Sequence, residues 1–176
     1  MNIIAATRNS EEFKKALNSK VNIIFMLTPN IADIKKQAQS AHELGKKLFI
    51  HLDFAEGIGK DEYGIRFAKE QGVDGIISTR ANIIKIAKKE GLFALQRFFI
   101  VDSQSINTTV ETLKSSKANM IEIMPGNNPK AVKRLKEKVD VPIIAGGLIE
   151  TEEETAEIIN SGAFAVSTGA EVLWNL

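Results

Sequence analysis

A compact (β/α)8 barrel, TIM-barrel-like and built from residues 1–176 as a single domain, is the fold this sequence predicts. Three observations point to it. Eight short apolar runs recur along the chain, each near-continuous rather than alternating, as parallel strands covered on both faces require. Longer amphipathic segments separate them, several stopping at a glycine. Polar residues gather where the runs end and are scarce within them. Eight evenly interleaved β/α units favour closure, because a closed parallel sheet has no edge. The alternative is a doubly wound, flavodoxin-like parallel sheet. Chain length keeps it open, since 176 residues fall short of the ~200 or more usual for such a barrel.

The candidate strands are Ile3–Ala6, Val21–Leu27, Lys47–Asp53, Val73–Ser78, Ala94–Asp102, Ala118–Met124, Val141–Ala145 and Phe164–Ser167. A helix is expected over Ser10–Ser19, with Glu11 and Glu12 placed favourably in its first turn. The next runs from Asn30 to Leu44 and stops at Gly45; Asp61–Gln71 stops at Gly72 and Ala81–Glu90 at Gly91. Gln104–Ser116, Pro129–Val139 and Thr151–Asn160 complete the set, the last opened by the capping box Thr151-x-x-Glu154. The tail Ala170–Leu176 leaves only a stub of an eighth helix.

Composition excludes several classes. Lys+Arg 23 against Asp+Glu 22 gives a net charge of +1, so no global field draws the chain to nucleic acid or anionic lipid. The absence of cysteine removes disulfides, thiolate catalysis and Cys-based metal centres. Residues Met1–Arg8 lack the basic and long apolar regions of a signal peptide, and no apolar run approaches the ~20 residues of a membrane span. The expectation is a cytoplasmic protein with no membrane partner, as a monomer or homo-oligomer.

In a barrel the site lies at the C-terminal ends of the strands. The turns after the last two runs carry the strongest signal there. Gly146-Gly147 lets backbone approach an anion closely, and Ser167-Thr168-Gly169 adds hydroxyls at a helix start. A tight turn and a plain helix cap are the simpler readings of each. Two such turns at the ordinal positions where barrels hold phosphate favour phosphate binding.

A second cluster is His51-Leu-Asp53-Phe-Ala-Glu56. His51 and Asp53, two apart on a strand, would share the lumen side and either satisfy each other or serve a ligand. With Glu56 they could do acid–base work or hold a divalent metal, although no metal or other cofactor is the expectation. The third cluster surrounds Arg97, a cation inside an apolar strand that needs a carboxylate or an anion facing it. Glu122, mid-strand in the next run, is the natural partner. Ser78, Thr79, Arg80 and Asp102 stand at neighbouring strand ends, as do Arg8 and Thr28. No lysine lies in a strand interior to serve as a Schiff base, and no nucleophile-elbow, Walker or zincin motif occurs.

These residues carry a resemblance. His51-Leu-Asp53 with Glu56-Gly57, Asp74-Gly-Ile-Ile-Ser-Thr79, Gln96-Arg97-x-Phe99 with Asp102-Ser103, Glu122-Ile-x-Pro125-Gly126, Gly146-Gly-Leu-Ile149, and Val166-Ser-Thr168 with Leu173-Trp174 resemble the glycerol uptake operon antiterminator (GlpP) family over essentially the whole chain. Gly169 departs from that pattern, standing where a small hydroxyl residue is expected. The resemblance implies a barrel that binds glycerol 3-phosphate and acts on the leader mRNA of glycerol-utilisation genes, rather than an enzyme. Glycerol 3-phosphate would place its phosphate on Gly146, Gly147, Ser167, Thr168 and Gly169, with His51, Asp53, Glu56, Ser78, Arg97, Asp102 and Glu122 lining the rest. The residues alone leave an enzyme acting on a phosphorylated triose or sugar as the alternative. They show no aromatic-plus-basic stripe that would itself point to RNA.

Overall fold

The computed structural model describes residues 2–176. Eight parallel strands close into a barrel: β1 (Ile3–Thr7), β2 (Ile23–Met26), β3 (Lys47–His51), β4 (Gly75–Ser78), β5 (Phe93–Phe99), β6 (Met120–Met124), β7 (Ile143–Gly146) and β8 (Ala165–Thr168). Closure is made by β1 against β8, with Ile4 opposite Ser167 and Ala5 opposite Thr168. The doubly wound alternative is thereby excluded. Seven helices pack outside: α1 (Ser10–Leu17), α2 (Ile34–Glu43), α3 (Glu62–Glu70), α4 (Ala81–Lys89), α5 (Ser103–Ser116), α6 (Pro129–Lys136) and α7 (Glu152–Asn160). The eighth connection is a pair of 3₁₀ turns over Glu171–Asn175, tied to the end of β8 where Trp174 Nε1 donates to Thr168 O at 2.9 Å.

Side-chain caps place the helix starts. Thr151 and Glu154 exchange bonds at α7, as the sequence predicts. At α1 the cap is Asn9 rather than Ser10: Asn9 accepts from Glu12 N, and Glu12 accepts from Arg8 N at 2.7 Å. Helix α2 starts at Ile34, four residues later than expected, because Asn30 is held in a strand-like bridge to Glu56.

Two strand ends also differ from expectation. β3 stops at His51 and the chain turns through a 3₁₀ step over Leu52–Phe54, so Asp53 leaves the strand. β5 stops at Phe99, and Asp102 becomes the cap of α5, accepting from Ser105 N at 2.8 Å. Asp102 bonds a local N–H group, and Asp53 is drawn out by Ser78 and Thr79 at the end of β4; in each case a polar side chain outcompetes continuation of the ladder.

Alternation along the strands divides two apolar regions. Ile24, Met26, Leu48, Ile50, Ile76, Ile121, Ile123 and Val166 face the helices and join the main core. Ile4, Phe25, Phe49, Ile77, Leu95, Ile144 and Ala165 fill the barrel interior. Gly75 is required there, because a Cβ would sit 2.5 Å from the Phe49 ring.

Candidate functional site

Two residues beyond the interior apolar layer, the same strands bring polar groups inward: His51 after Phe49, Arg97 after Leu95, Glu122 after Met120, and Ser167 after Ala165. Register pairs Arg97 with Glu122 and Gly146 with Ser167. Arg97 Nε donates to Glu122 Oε2 at 2.6 Å, and Ser167 Oγ donates to Glu122 Oε1 at 2.6 Å. Both carboxylate oxygens are thus engaged on a residue only 1% exposed, and Arg97 is 8% exposed. The pairing expected from the sequence is the one observed. Gly146 lets it form, since a Cβ there would lie 2.5 Å from Glu122 Oε1 and 2.6 Å from Ser167 Oγ.

Around this layer the turns after β7 and β8 are built for backbone approach. Gly147 (φ 77°) and Leu148 (φ 58°) are both left-handed, and a Cβ on Gly147 would meet Met124 Cε at 2.8 Å. The Ala170 N–H is taken by Thr168 Oγ1 at 3.0 Å. The N–H groups of Gly147, Leu148 and Gly169, by contrast, find no acceptor among the described residues.

The hydroxyls expected beside them face elsewhere. Ser167 donates to Glu122, and Thr168 Oγ1 donates to Ile149 O at 2.7 Å. Donation at these turns therefore comes from backbone, not from Ser167 and Thr168 side chains. A cation stands against the same turn: Arg8 Nη1 lies 3.3 Å from where a Gly169 Cβ would be. The Arg8 backbone is fixed by Glu12 and by Thr28 Oγ1, which donates to Arg8 O, while its guanidinium forms no ion pair among the described residues.

His51 and Asp53 feel each other's charge but are not hydrogen-bonded, and Glu56 is engaged elsewhere. Asp53, carried out of β3, accepts from Ser78 Oγ at 2.6 Å, Thr79 N at 2.8 Å and Thr79 Oγ1 at 2.9 Å, with Arg80 Nε at 3.6 Å. Burial alone would raise its pKa, but these hydrogen bonds outweigh it and hold the carboxyl below its ordinary value. Glu56 is exposed and clamps the loop after β3 to the loop after β2: Asn30 Nδ2 donates to Glu56 Oε2 at 3.1 Å and Glu56 N to Pro29 O at 2.8 Å. Asp102 is spent on the α5 cap. Among the described residues no three His, Asp or Glu side chains stand close enough to hold a metal ion.

His51 stays inside, 1% exposed, its ring 4.8 Å from that of Phe54 and with no partner for either nitrogen. Burial, reinforced by the Arg97 charge, lowers its pKa to about 4, so the imidazole is neutral at pH 7. It therefore presents one donor and one acceptor. Gln96 Oε1, also buried, is unpartnered too, while Gln96 Nε2 donates to Thr79 O at 3.3 Å.

Arg8 stands out only in three dimensions. In the sequence it is one polar strand-end residue among many, and its approach to Gly169 depends on β1 closing against β8.

A closed parallel barrel whose C-terminal mouth combines free N–H groups after β7 and β8 with an arginine that forms no ion pair among the described residues defines a class, the β/α barrels with a donor-rich mouth. Within it the chain belongs to the family described as glycerol-3-phosphate responsive antiterminator, whose model matches residues 3–174. It is 38% identical over 175 residues to the uncharacterized protein YgcP of Escherichia coli K12, covering 99% of this chain and 92% of that one. The crystal structure of a glycerol uptake operon antiterminator regulatory protein from Listeria monocytogenes matches at TM-score 0.92 and 38% identity, over 99% of this chain and 95% of that one. A glycerol uptake operon antiterminator-related protein from Thermotoga maritima matches at TM-score 0.87 and 32% identity, over 98% and 97%. A deoxyribose phosphate aldolase from Aeropyrum pernix, at TM-score 0.76 and 16% identity over 98% and 87%, shares the fold alone. No helix among the described residues is long and apolar enough to cross a membrane.

Proposed function

We propose that this chain is a glycerol 3-phosphate-responsive antiterminator that acts on the leader mRNA of glycerol-utilisation genes. One observation carries the ligand: three backbone N–H groups, those of Gly147, Leu148 and Gly169, lack acceptors beside the unpaired Arg8 guanidinium. Such a cradle suits a phosphate, which brings several acceptor oxygens and two negative charges. The glycerol hydroxyls then lie toward His51 and the Arg97–Glu122 pair, where the neutral imidazole can donate to one oxygen and accept from another. No cofactor is needed for such a role. An enzyme on a phosphorylated triose would draw its base from Asp53 or Glu56. Those carboxylates are engaged by Ser78 and Thr79, and by Asn30, which favours the regulatory reading.

Thermal unfolding with added ligand tests the ligand half. Glycerol 3-phosphate at 100 times its Kd adds about 2.7 kcal/mol of stability, while glycerol, lacking the phosphate, leaves the midpoint unchanged. Arg8→Ala weakens glycerol 3-phosphate by about tenfold or more, because a charged hydrogen bond of ~1.5–3 kcal/mol is lost. Equal midpoints in the two ligands would overturn the reading. Filter retention of leader RNA, with and without glycerol 3-phosphate, tests the other half.

A further inference from the structure

The mouth is not uniform. Exposed carboxylates stand on both sides of it, Glu150, Glu152 and Glu153 after β7 and Glu11 after β1, and Glu56 and Asp61 after β3 and Asp102 after β5. On the side of β3, β4 and β5, three adjacent strands, Phe54 stands in the loop after β3, Arg80 in the loop after β4 and Phe99 at the end of β5. Phe54 is 62% exposed and Phe99 59% exposed, so both rings stand in solvent beside an exposed arginine. Next to Phe99 a groove of about 150 Å³ runs between the loops after β5 and β6, lined among others by Asp102, Asn128, Lys130 and Arg134, so that two cations stand against one carboxylate. Neither cation forms an ion pair among the described residues; Arg134 Nη1 donates only to Ser103 Oγ at 3.2 Å.

We infer that this arc and groove form the docking surface for single-stranded RNA, laid across the mouth above the ligand. The inference rests on the regulatory reading above and supplies the contact face which that reading leaves open. Exposed aromatic rings are costly to leave in water, and every nucleobase offers a π-face to cover one. Single-stranded RNA alternates such faces with phosphates, as this arc alternates Phe54 and Phe99 with Arg80 and then Lys130 and Arg134.

The same placement couples RNA to ligand. Phe54 rests against His51 at 4.8 Å, and His51 belongs to the polar layer beneath. A ligand that bonds the His51 ring fixes the platform on which a base stacks, so occupancy favours the RNA-bound arrangement through contacts that exist only when both are present.

Binding of a short single-stranded RNA of randomised sequence, in saturating glycerol 3-phosphate, tests this. Phe99→Ala weakens RNA by about tenfold, the loss of one stacked base. Lys130→Ala weakens it across sequences and lowers the salt slope by about one. Phe164→Ala, which removes an exposed ring from the opposite end of the barrel, leaves RNA affinity unchanged. All three variants keep the thermal shift given by glycerol 3-phosphate. Wild-type affinity in both Phe99→Ala and Lys130→Ala overturns the docking surface while leaving the regulatory reading intact. A wild-type chain that binds no RNA, with or without the ligand, overturns both together. A dimer that Phe99→Ala converts to monomer in sedimentation assigns the face to a second copy of the chain and overturns it as an RNA surface.

Discussion

The two ends of the barrel interior are built on the same strands and obey opposite rules. Toward the N-terminal end, Phe25 and Phe49 pack at 5.6 Å between centroids, with Ile77, Leu95 and Ile144 around them. Nothing there needs a hydrogen bond, and what holds it is volume. Two residues further along, Arg97, Glu122 and Ser167 are as deeply buried, yet they are held by pairing, and His51 among them is buried with neither nitrogen bonded. Burial is common to both ends, and only the chemistry of the buried atoms separates a plug from a site.

The sharpest way to break that contrast is to remove the carboxylate. Glu122→Ala leaves the Arg97 guanidinium buried without an anion and Ser167 without its acceptor. An unpaired buried charge costs about 3–5 kcal/mol, which urea unfolding will register. Replacing both partners, Arg97→Met with Glu122→Leu, makes the upper layer resemble the lower one. It should cost less than Glu122→Ala alone, since apolar side chains of similar volume often replace a buried pair with little loss. A loss under about 1 kcal/mol in Glu122→Ala would show that water reaches Arg97 and that the layer is not closed.

The strands that build the lower end and their closure are legible in the sequence, though not which of their residues fill the interior, and the upper end is legible only in part. Near-continuous apolar runs announce parallel strands, and eight of them announce closure. Arg97 inside such a run demanded a counter-charge, and Glu122 was the candidate in the adjacent strand. Asp53 was different. Strand alternation put it with His51, but whether a strand continues for two more residues depends on which bonds compete locally. Ser78 and Thr79, brought alongside by β4, won it. The Ser167 and Thr168 hydroxyls look like anion donors in the sequence because residue type shows capacity to donate and says nothing about the acceptor, which the fold supplies as Glu122 and Ile149 O. Phe54, Arg80 and Phe99 are scattered along the chain, so no stripe of them exists before the barrel closes.

His51 sharpens the comparison by pH. Its folded pKa is lowered to about 4 from the ordinary 6.5, so the unfolded chain binds the proton first as pH falls. The stabilisation is present above pH 6.5 and is lost progressively as pH drops toward 4. Between pH 7 and pH 5 the loss is about 2 kcal/mol, above the range in which carboxylates titrate. Urea midpoints across that interval should fall in the wild type and flatten in His51→Gln. A parallel fall in the variant would assign the acid sensitivity to other groups.

The smallest effect comes from the apolar end, and it tests whether the two layers are independent. Ile77→Val deletes one methylene from a fully buried residue beside Leu95 and Ile144. The expected cost is about 0.5–1.5 kcal/mol, from lost transfer energy and an incompletely refilled gap. No polar group loses a partner, so the pH dependence and the glycerol 3-phosphate shift should match the wild type. If the apolar layer is only a plug, the shift measured against each protein's own ligand-free midpoint stays the same. A reduced shift in Ile77→Val would show that packing below sets the positions of His51 and Arg97 above. The two ends would then be one mechanical unit rather than a site resting on a floor.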